Sequence, residues 1–312
     1  MPPLIRALTQ RRLDVSFRAG DGLDVRIVEF PGRWMDETAL SALTADLRAV
    51  AARTLPAGDL DYGVFSGDPE ALRRTILTVV RRNGTAVAFN ALAVIETELH
   101  RRPVRVLHLG LVLVDPDERS RGLSWILYGL TCLLLFLREG MRPVRMSNVT
   151  QVPSVVGIVS ETFSDVFPAP GRTMLRDFDK LLLARAILAD HRHVFGVGTE
   201  ARFDEARFVI EDAYTGGSDH LKKSLDEAPG HRDPRYAAFC AEMLDYDRGD
   251  DLLQLGALDL SAARRYVLRQ VPRGSLPSVA ALAVLVLLRR AVLPVMHWAD
   301  PSRDHGLLRP AR

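Results

Sequence analysis

One stretch, from Val104 to Leu137, constrains the fold of this chain more than any other. It begins with a nearly continuous run of Val and Leu that ends at Asp115-Pro116, a pattern typical of a strand buried on both faces. A short basic turn follows, and apolar residues then recur at helical spacing from Leu123 onward. This order places free backbone N–H groups and the positive end of a helix dipole at the turn. The stretch therefore predicts an anion-binding turn between a buried strand and a helix.

The turn carries a more specific pattern, R-x-x-G-x-S, preceded by Val114 and Pro116. It resembles the acyl-CoA signature of the GNAT acyltransferase superfamily, V-x-P-x-x-R-x-x-G-x-G/A, with Ser124 in place of the second small residue. The alternative is a strand–turn–helix whose arginines are merely solvated. The resemblance implies that the backbone of the turn holds the pyrophosphate of the donor, at Arg119, Ser120, Arg121, Gly122, Leu123 and Ser124.

The order of the surrounding elements supports the same resemblance. A helix capped by Asp36 follows the first strand, and Asn83-Gly84 is a hairpin signal between the next two. This order resembles the GNAT fold, which implies an α+β fold with a mixed, mostly antiparallel central sheet flanked by helices and a helical C-terminal extension. The predicted elements are strands at 23–30, 75–80, 85–98, 104–114 and 143–149 and a helix at 154–163.

The chain is expected to fall into four parts. They are an N-terminal lead-in at 1–22, a GNAT-like acyl-CoA-binding core at 23–167, an elaboration at 168–260 and a basic apolar C-terminal extension at 261–312. The elaboration is expected to complete the sheet and to form the acceptor site. Within it, the pattern predicts helices at 178–195 and 236–244 and strands at 203–213 and 252–260.

Charge and cysteine content narrow the class of protein. A formal net charge of +2 argues against a dedicated nucleic-acid binder. The charge is uneven, because residues 260–312 carry nine Arg and two Asp, and a basic tail suggests an anionic partner or surface. With only Cys132 and Cys240 there is no disulfide framework, which favours a reducing, cytoplasmic setting.

The tail is the least familiar part of the sequence. Ten apolar residues at 279–288 are followed by Arg289-Arg290 and a second apolar run that ends at Trp298. The segment reads as too short and too interrupted to span a membrane. A peripheral membrane contact through 279–298 is one interpretation, and a core-packing or homodimer helix is the other.

By resemblance, the expected function is direct transfer of an acyl group from acyl-CoA, or from an acyl carrier protein, to an unidentified amine. The thioester carbonyl is expected to be polarised by a backbone amide near Val112, Leu113 and Val114. Two alternatives remain open: a non-catalytic GNAT-like module that binds acyl-CoA, a lipid or a partner, and a membrane-peripheral long-chain acyltransferase. A pocket beside Gly129 could hold a long chain.

Candidate acid–base groups are few. His108 lies on the central strand, and neutral imidazole suits proton transfer near pH 7, so it is the first candidate base. Glu96 and Glu98 share one face of the preceding strand and are the second choice. Each of the three has a structural alternative, as a buried or a solvated strand residue. Asn148 is a candidate contact for the pantetheine arm.

The tyrosine that often serves as general acid in the family, on the helix after the fifth strand, is missing. Ser160 is only a loose substitute for it. No metal site is expected, because His191 and His193 lack a further clear ligand. Cys132 lies in an apolar helix, where thiolate formation is disfavoured, so it is a poor nucleophile.

Overall fold

The computed structural model describes residues 8, 12–19, 22–55, 60–66, 68–119, 121–123, 125–171, 177–271, 273 and 276–299. These residues form one mixed, mostly antiparallel sheet with helices on both faces, which confirms the expected α+β fold. The strands are β1 Asp14–Ala19, β2 Leu23–Glu29, β3 Thr75–Arg82, β4 Thr85–Leu99, β5 Arg102–Val114, β6 Val144–Thr150, β7 Ser164–Phe167, β8 Arg202–Asp204, β9 Val209–Glu211 and β10 Asp251–Leu258.

The helices lie between groups of strands and after the last strand. A π-helical segment, Trp125–Leu130, leads into α3, and a second, Leu288–Val292, joins the last two helices. The helices are α1 Glu37–Thr54, α2 Pro69–Arg73, α3 Thr131–Arg138, α4 Pro153–Thr162, α5 Phe178–Asp190, α6 Arg235–Met243, α7 Leu260–Arg269, α8 Leu276–Leu287 and α9 Leu293–Ala299.

The sheet has the order β1-β2-β3-β4-β5-β6-β10-β9-β8, and β7 also pairs with β10. Only the β5–β6 pair is parallel among the described strands. One face is covered by the helix that runs from Trp125 to Arg138 and by the C-terminal helices, and the other by α1 and α5. The layers are therefore helix, sheet and helix.

Two strand predictions need correction. The sheet begins earlier than expected, because β1 lies within the presumed lead-in, pairs with β2 and is held by two 2.9 Å hydrogen bonds from Arg26 to Asp14. The single strand expected at 203–213 is instead the hairpin β8–β9. The chain reverses over residues 205–208, and the buried Phe208 closes this turn with a φ of +58°.

A bulge in β5 changes which side chains face each layer. Gly110 and Leu111 together oppose Ala91 of β4, because the register shifts there. Before the bulge Leu109 faces the α3 layer and His108 faces the α5 side, whereas Leu111 after the bulge belongs to the α1 layer. One extra residue therefore puts two groups of the central strand, His108 and Leu111, on the same face.

The C-terminal extension covers the far side of the α3 layer. Leu282 and Val286 of α8 are buried in the same core as Leu134 of α3. A methyl group on Gly129 would lie 1.7 Å from Cε2 of Tyr266 in α7, so the Tyr266 ring occupies the space against that glycine. Tyr266 therefore fills the space on the α7 side of Gly129, while a cavity of about 490 Å³ borders Gly129 elsewhere.

The last helices also correct the sequence interpretation of the tail. Residues 276–299 are helical throughout, and an 18-residue window, Val279–Met296, has a mean hydropathy of 2.1. The expectation that the tail is too short and interrupted is thus wrong, since by length and composition alone this helix could cross a membrane. The π-helical segment just before Pro294 explains the continuity, because a widened turn accommodates a residue that lacks an N–H donor.

Candidate functional site

The sheet opens between its two central strands. β5 and β6 pair from Val106–Leu109 to Arg145–Asn148 and then separate, although both strands continue. Beyond Leu109, β5 keeps its antiparallel partner β4 but no longer pairs with β6. The backbone edge of Leu111–Val114 that faces β6 therefore has no strand partner in the described part of the chain and can receive a ligand in extended conformation.

Gly110 is the residue that permits this opening. A Cβ at this position would lie 2.3 Å from the carbonyl oxygen of Ala91, far closer than any real Cβ contact. Only glycine lets β5 approach β4 at the bulge. An isolated glycine inside a strand pattern is a bulge signal that the sequence carries.

Three adjoining cavities surround the opening. The inner cavity, of about 220 Å³, lies between β5 and β6 and is lined by His108, Gly110, Asn148 and residues from both faces of the sheet. The outer cavity, of about 530 Å³, lies on the α1–α5 face and shares His108 and Gly110 with it. The turn cavity, of about 490 Å³, lies between Gly122 and α4 and shares Tyr128 with the inner cavity. A chain of adjoining spaces thus leads from the basic turn to His108 and the opposite face.

His108 is buried at the junction of the inner and outer cavities. Its Nδ1 lies 3.0 Å from Oγ of Ser147, and its ring packs on Phe195 with centroids 5.1 Å apart. Burial lowers the pKa of His108 to about 4. The imidazole is therefore neutral at physiological pH and presents a nitrogen that can accept a hydrogen bond.

The basic turn is braced by two ion pairs. Arg82 donates two hydrogen bonds to the buried Glu118, at 2.6 and 2.8 Å, and this contact lowers the Glu118 pKa. Arg53 pairs with Asp115 at 2.6 Å. Gly122, with a φ of +76°, borders the turn cavity and has open space where a Cβ would stand. These pairs hold the turn so that Gly122 lies beside the cavity. Because Gly122 has a left-handed backbone and no side chain, an anion could approach its backbone there.

The other predicted turn residues lie beside Gly122. Arg119 and Arg121 are exposed; the first donates a 3.4 Å hydrogen bond to the carbonyl of Val114 and the second lies 3.6 Å from Glu118. Leu123 is buried, and its carbonyl accepts the first helical hydrogen bonds. Ser120 and Ser124 lie outside the described residues.

The remaining donor-site candidates lie along the opening. Val112 and Leu113 line the inner cavity, and Val114 is the last residue of β5. The buried Asn148 also lines it, but its Nδ2 donates a 3.2 Å hydrogen bond to Gln254. The structure thus brings these residues together along one cleft.

Glu96 and Glu98 do not join this group. Both are exposed at the far end of β4, where Glu96 lies opposite Arg105, 3.9 Å from it. Neither lines any of the three cavities. Ser160, the loose substitute for the missing tyrosine, is held in a buried network through its 3.2 Å contact with Gln254.

Three tyrosines and one carboxylate at the cavities were not foreseen. Tyr128 stands where the turn and inner cavities meet, and Tyr62 and Tyr214 line the inner cavity together with the buried Asp251. The Tyr214 hydroxyl donates a 2.9 Å hydrogen bond to Asp251. These groups come from a π-helical segment, separate loops and a strand, so no local pattern marks them.

The outer cavity has an acidic lining. Four carboxylates, Asp61, Asp68, Glu70 and Asp190, border it together with Arg74 and Arg192. Arg192 is engaged by backbone carbonyls, among them that of Ala201 at 2.6 Å. Glu70 also pairs with Arg73 at 3.1 Å, which leaves the three aspartates against Arg74 and Arg192. This small excess of negative charge favours a cationic ligand in the cavity.

The described residues contain no group of three or more His, Cys, Asp or Glu side chains arranged for a metal ion. His191 and His193 border the outer cavity with ring centroids 6.3 Å apart. Burial raises the pKa of the Cys132 thiol to about 12, so a thiolate is disfavoured there.

Comparison with known proteins gave structural matches only. No family model and no curated protein matches the sequence. A ribosomal-protein-S5-alanine acetyltransferase from Vibrio fischeri matches with 14% identity and a TM-score of 0.29, over 47% of this chain and 81% of that one. A GCN5-related N-acetyltransferase from Kribbella flavida matches with 15% identity and a TM-score of 0.28, over 78% of this chain and 66% of that one. Overlap this limited says nothing about activity.

The buried His108 makes stability depend on pH. In the folded protein it stays neutral to about pH 4, whereas in the unfolded chain it binds a proton below about 6.5. Between pH 6.5 and 4 the unfolded state therefore binds more protons than the folded state. The stabilisation that the neutral His108 provides at higher pH is lost as the pH falls through this range. The free energy of unfolding of the wild type should decrease between pH 6.5 and 4, and His108 should account for up to about 3 kcal/mol of that decrease. We expect the decrease to be smaller by this amount in His108→Gln.

Urea unfolding across this pH range measures the effect. The exposed His220 provides the matched control, His220→Gln, which should leave the slope as in the wild type. An identical slope in the His108 variant would contradict the buried neutral imidazole.

Proposed function

We propose that this protein is an N-acyltransferase that moves an acyl group from acyl-CoA, or from an acyl carrier protein, directly to an amine. The observation that carries the proposal is the opening between β5 and β6, which adjoins the basic turn at one end and His108 at the other. Direct transfer requires donor and acceptor to meet at one point, and His108 lies between two cavities that reach opposite faces of the sheet.

In this proposal the donor occupies the turn and inner cavities. Its phosphates lie at Arg119 to Gly122, where backbone and guanidinium groups can bind anions. Its extended arm follows the free edge of β5 past Tyr128 and Asn148. The amine comes from the outer cavity, whose acidic lining favours a cation.

Replacement of Gly122 tests the donor site. We expect Gly122→Leu to weaken binding of acyl thioesters at least tenfold, because the side chain strains the left-handed backbone and blocks approach to its amides. Calorimetry with acyl-CoA from acetyl to palmitoyl measures this and also reports the preferred chain length. Gly171→Leu is the control, since Gly171 has a similar φ of +72° and equally open surroundings.

Unchanged thioester affinity in Gly122→Leu would contradict the donor site. Binding that is not followed by transfer to any amine would favour the non-catalytic binding module over the enzyme.

His108 is the proposed proton carrier at the point of transfer. Its low pKa makes it a weak base for a free ammonium but suits it to accept a proton from the far more acidic tetrahedral intermediate and to pass it to the leaving thiolate. We expect His108→Gln to slow transfer about 100-fold or more, with thioester affinity unchanged. The rate of CoA release measures transfer; full activity in this variant would remove His108 from the chemistry.

A second candidate is a membrane-peripheral long-chain acyltransferase. It is favoured by an apolar exposed face on the C-terminal helices, which includes Trp298 at 85% exposure. The opposite face is attached to the core through Leu282 and Val286, and Arg290 donates a 2.7 Å hydrogen bond to the Gly140 carbonyl. A helix held in this way can lie along a bilayer surface, while crossing the bilayer would expose its buried face. The exposed apolar residues are Val284, Leu287, Leu288, Val292, Val295, Met296 and Trp298.

Vesicle sedimentation tests the membrane contact. We expect the wild type to sediment with phosphatidylcholine vesicles that contain phosphatidylglycerol, since the extension is rich in Arg. The triple variant Leu287→Ser, Val295→Ser, Trp298→Ser should reduce the bound fraction several-fold. Phe178→Ser removes an equally exposed apolar residue on α5 and is the control. Equal sedimentation of the triple variant and the wild type would contradict this candidate.

A further inference from the structure

Asp251 is a buried carboxylate at the inner cavity that has no cationic partner among the described residues. It is 6% exposed, begins β10 opposite Ile210 of β9, and lines the cavity. Its Oδ1 accepts a 2.9 Å hydrogen bond from the Tyr214 hydroxyl. Buried carboxylates are normally paired with a cation, so an unpaired one facing a cavity is a candidate for ligand binding.

The neighbouring Asp250 shows the contrast. Arg248 donates two hydrogen bonds to Asp250, at 2.7 and 2.8 Å, and the backbone N–H of Asp245 donates a third at 3.0 Å. These contacts lower the Asp250 pKa despite its burial. Asp250 is thus a structural carboxylate, with its charge paired and its oxygens hydrogen-bonded within the protein.

Asp251 has the opposite environment. Burial raises the pKa of Asp251 to about 7, and the negative charge of Asp250 adds to the effect. The other groups that face it are neutral tyrosines, Tyr62, Tyr214 and Tyr246. Lys223 also lines the inner cavity, but it forms no ion pair with Asp251.

We propose that Asp251 binds the ammonium group of a primary amine acceptor and takes its first proton. This inference rests on the proposed acyl transfer and names its acceptor class. The cavity around the carboxylate also has apolar walls, including Leu55, Leu111 and Phe195. The acceptor is therefore a primary amine on a narrow apolar stem, whose ammonium end enters the inner cavity from the outer cavity and occupies the part beside Asp251 that the donor's arm leaves open.

The proton balance of the reaction needs two sites. An ammonium carries three protons on nitrogen and the amide product keeps one. The first proton passes from the ammonium to the Asp251 carboxylate, which leaves a neutral amine with a free electron pair. That pair forms the C–N bond, the C–S bond breaks with its electrons on sulfur, and the second proton passes through His108 to the thiolate.

The raised pKa of the carboxylate and the lowered pKa of the imidazole fit these two roles. A base with a pKa near 7 accepts a proton from an ammonium more readily than an ordinary carboxylate does. An imidazolium with a low pKa gives its proton to a thiolate readily. Where the environments of two titratable groups shift their pKa values in opposite directions, one group commonly acts as the base and the other as the acid.

Amine binding can be measured without any donor. The probes are n-hexylamine and 1-hexanol, which share a stem and differ in charge, titrated calorimetrically into the full-length protein at pH 6 and pH 8. We expect hexylamine to bind about tenfold more tightly at pH 8, because the carboxylate is then ionised. Hexanol should bind weakly and equally at both pH values.

Two variants and one control complete the test. Asp251→Asn keeps the shape of the side chain and should weaken hexylamine binding at least tenfold, with CoA binding unchanged. Tyr214→Phe removes the hydrogen bond to the ionised carboxylate, so the pH midpoint for amine binding should move upward. Asp226→Asn changes an exposed carboxylate outside the cavities and should have no effect.

Equal hexylamine affinity in Asp251→Asn and wild type, or equal binding of hexanol and hexylamine, would overturn the inference. An unmoved pH midpoint in Tyr214→Phe would overturn it even if the first variant did not fold. Absence of CoA binding in the wild type would instead contradict the proposed donor site. The hexylamine titrations would still decide whether Asp251 binds an amine, because they contain no donor.

Discussion

The close approach of Gly110 to the Ala91 carbonyl is the contact on which the site depends. It lets one extra residue enter β5, and the strand then diverges from β6 while it stays paired with β4. The divergence frees one backbone edge in the middle of an otherwise continuous sheet. The same insertion places His108 and Leu111 on one face, so a single glycine determines both the cleft and the group at its end.

The rest of the site is held rigid by buried or half-buried charge pairs. Arg82–Glu118 and Arg53–Asp115 fix the turn from strands and helices outside it, and Arg248–Asp250 fixes the start of β10. Each of these carboxylates has its pKa lowered. His108 and Asp251 differ, because burial acts on them without a compensating partner of opposite charge among the residues that the structure describes. The structural carboxylates are thus those whose buried charge is offset by an arginine. The candidate functional groups are those whose pKa is shifted by burial without such an offset.

Much of the core could be predicted from the sequence because its signals are local. The hairpin at Asn83-Gly84, the cap at Asp36 and the strand–turn–helix around Gly122 each follow from a few neighbouring residues, and all three are confirmed. The assignment of the turn as a donor site remains a prediction. The split of 203–213 into a hairpin was missed because its signal is a positive φ at Phe208, a residue with no turn preference.

Asp251 and its tyrosines could not be predicted in this way. Asp251, Tyr214 and Tyr62 are far apart in the chain and meet only after β10 joins the sheet beside β6. A charged residue at the start of a strand usually lies in solvent, so its burial is a tertiary effect. The continuous tail helix was missed for a different reason, because Arg289 and Arg290 were interpreted as an interruption, whereas both lie in the π-helical segment Leu288–Val292 of an unbroken helix.

The inner cavity reaches both faces of the sheet, with Tyr128 on one side and Tyr62 on the other. In the proposed reaction, a donor and an amine that use opposite entrances do not have to bind in a fixed order. Steady-state kinetics would then be of the sequential, random type, and free CoA would compete with acyl-CoA but not with the amine. The geometry of one gap between two strands would in this way determine the pattern of product inhibition.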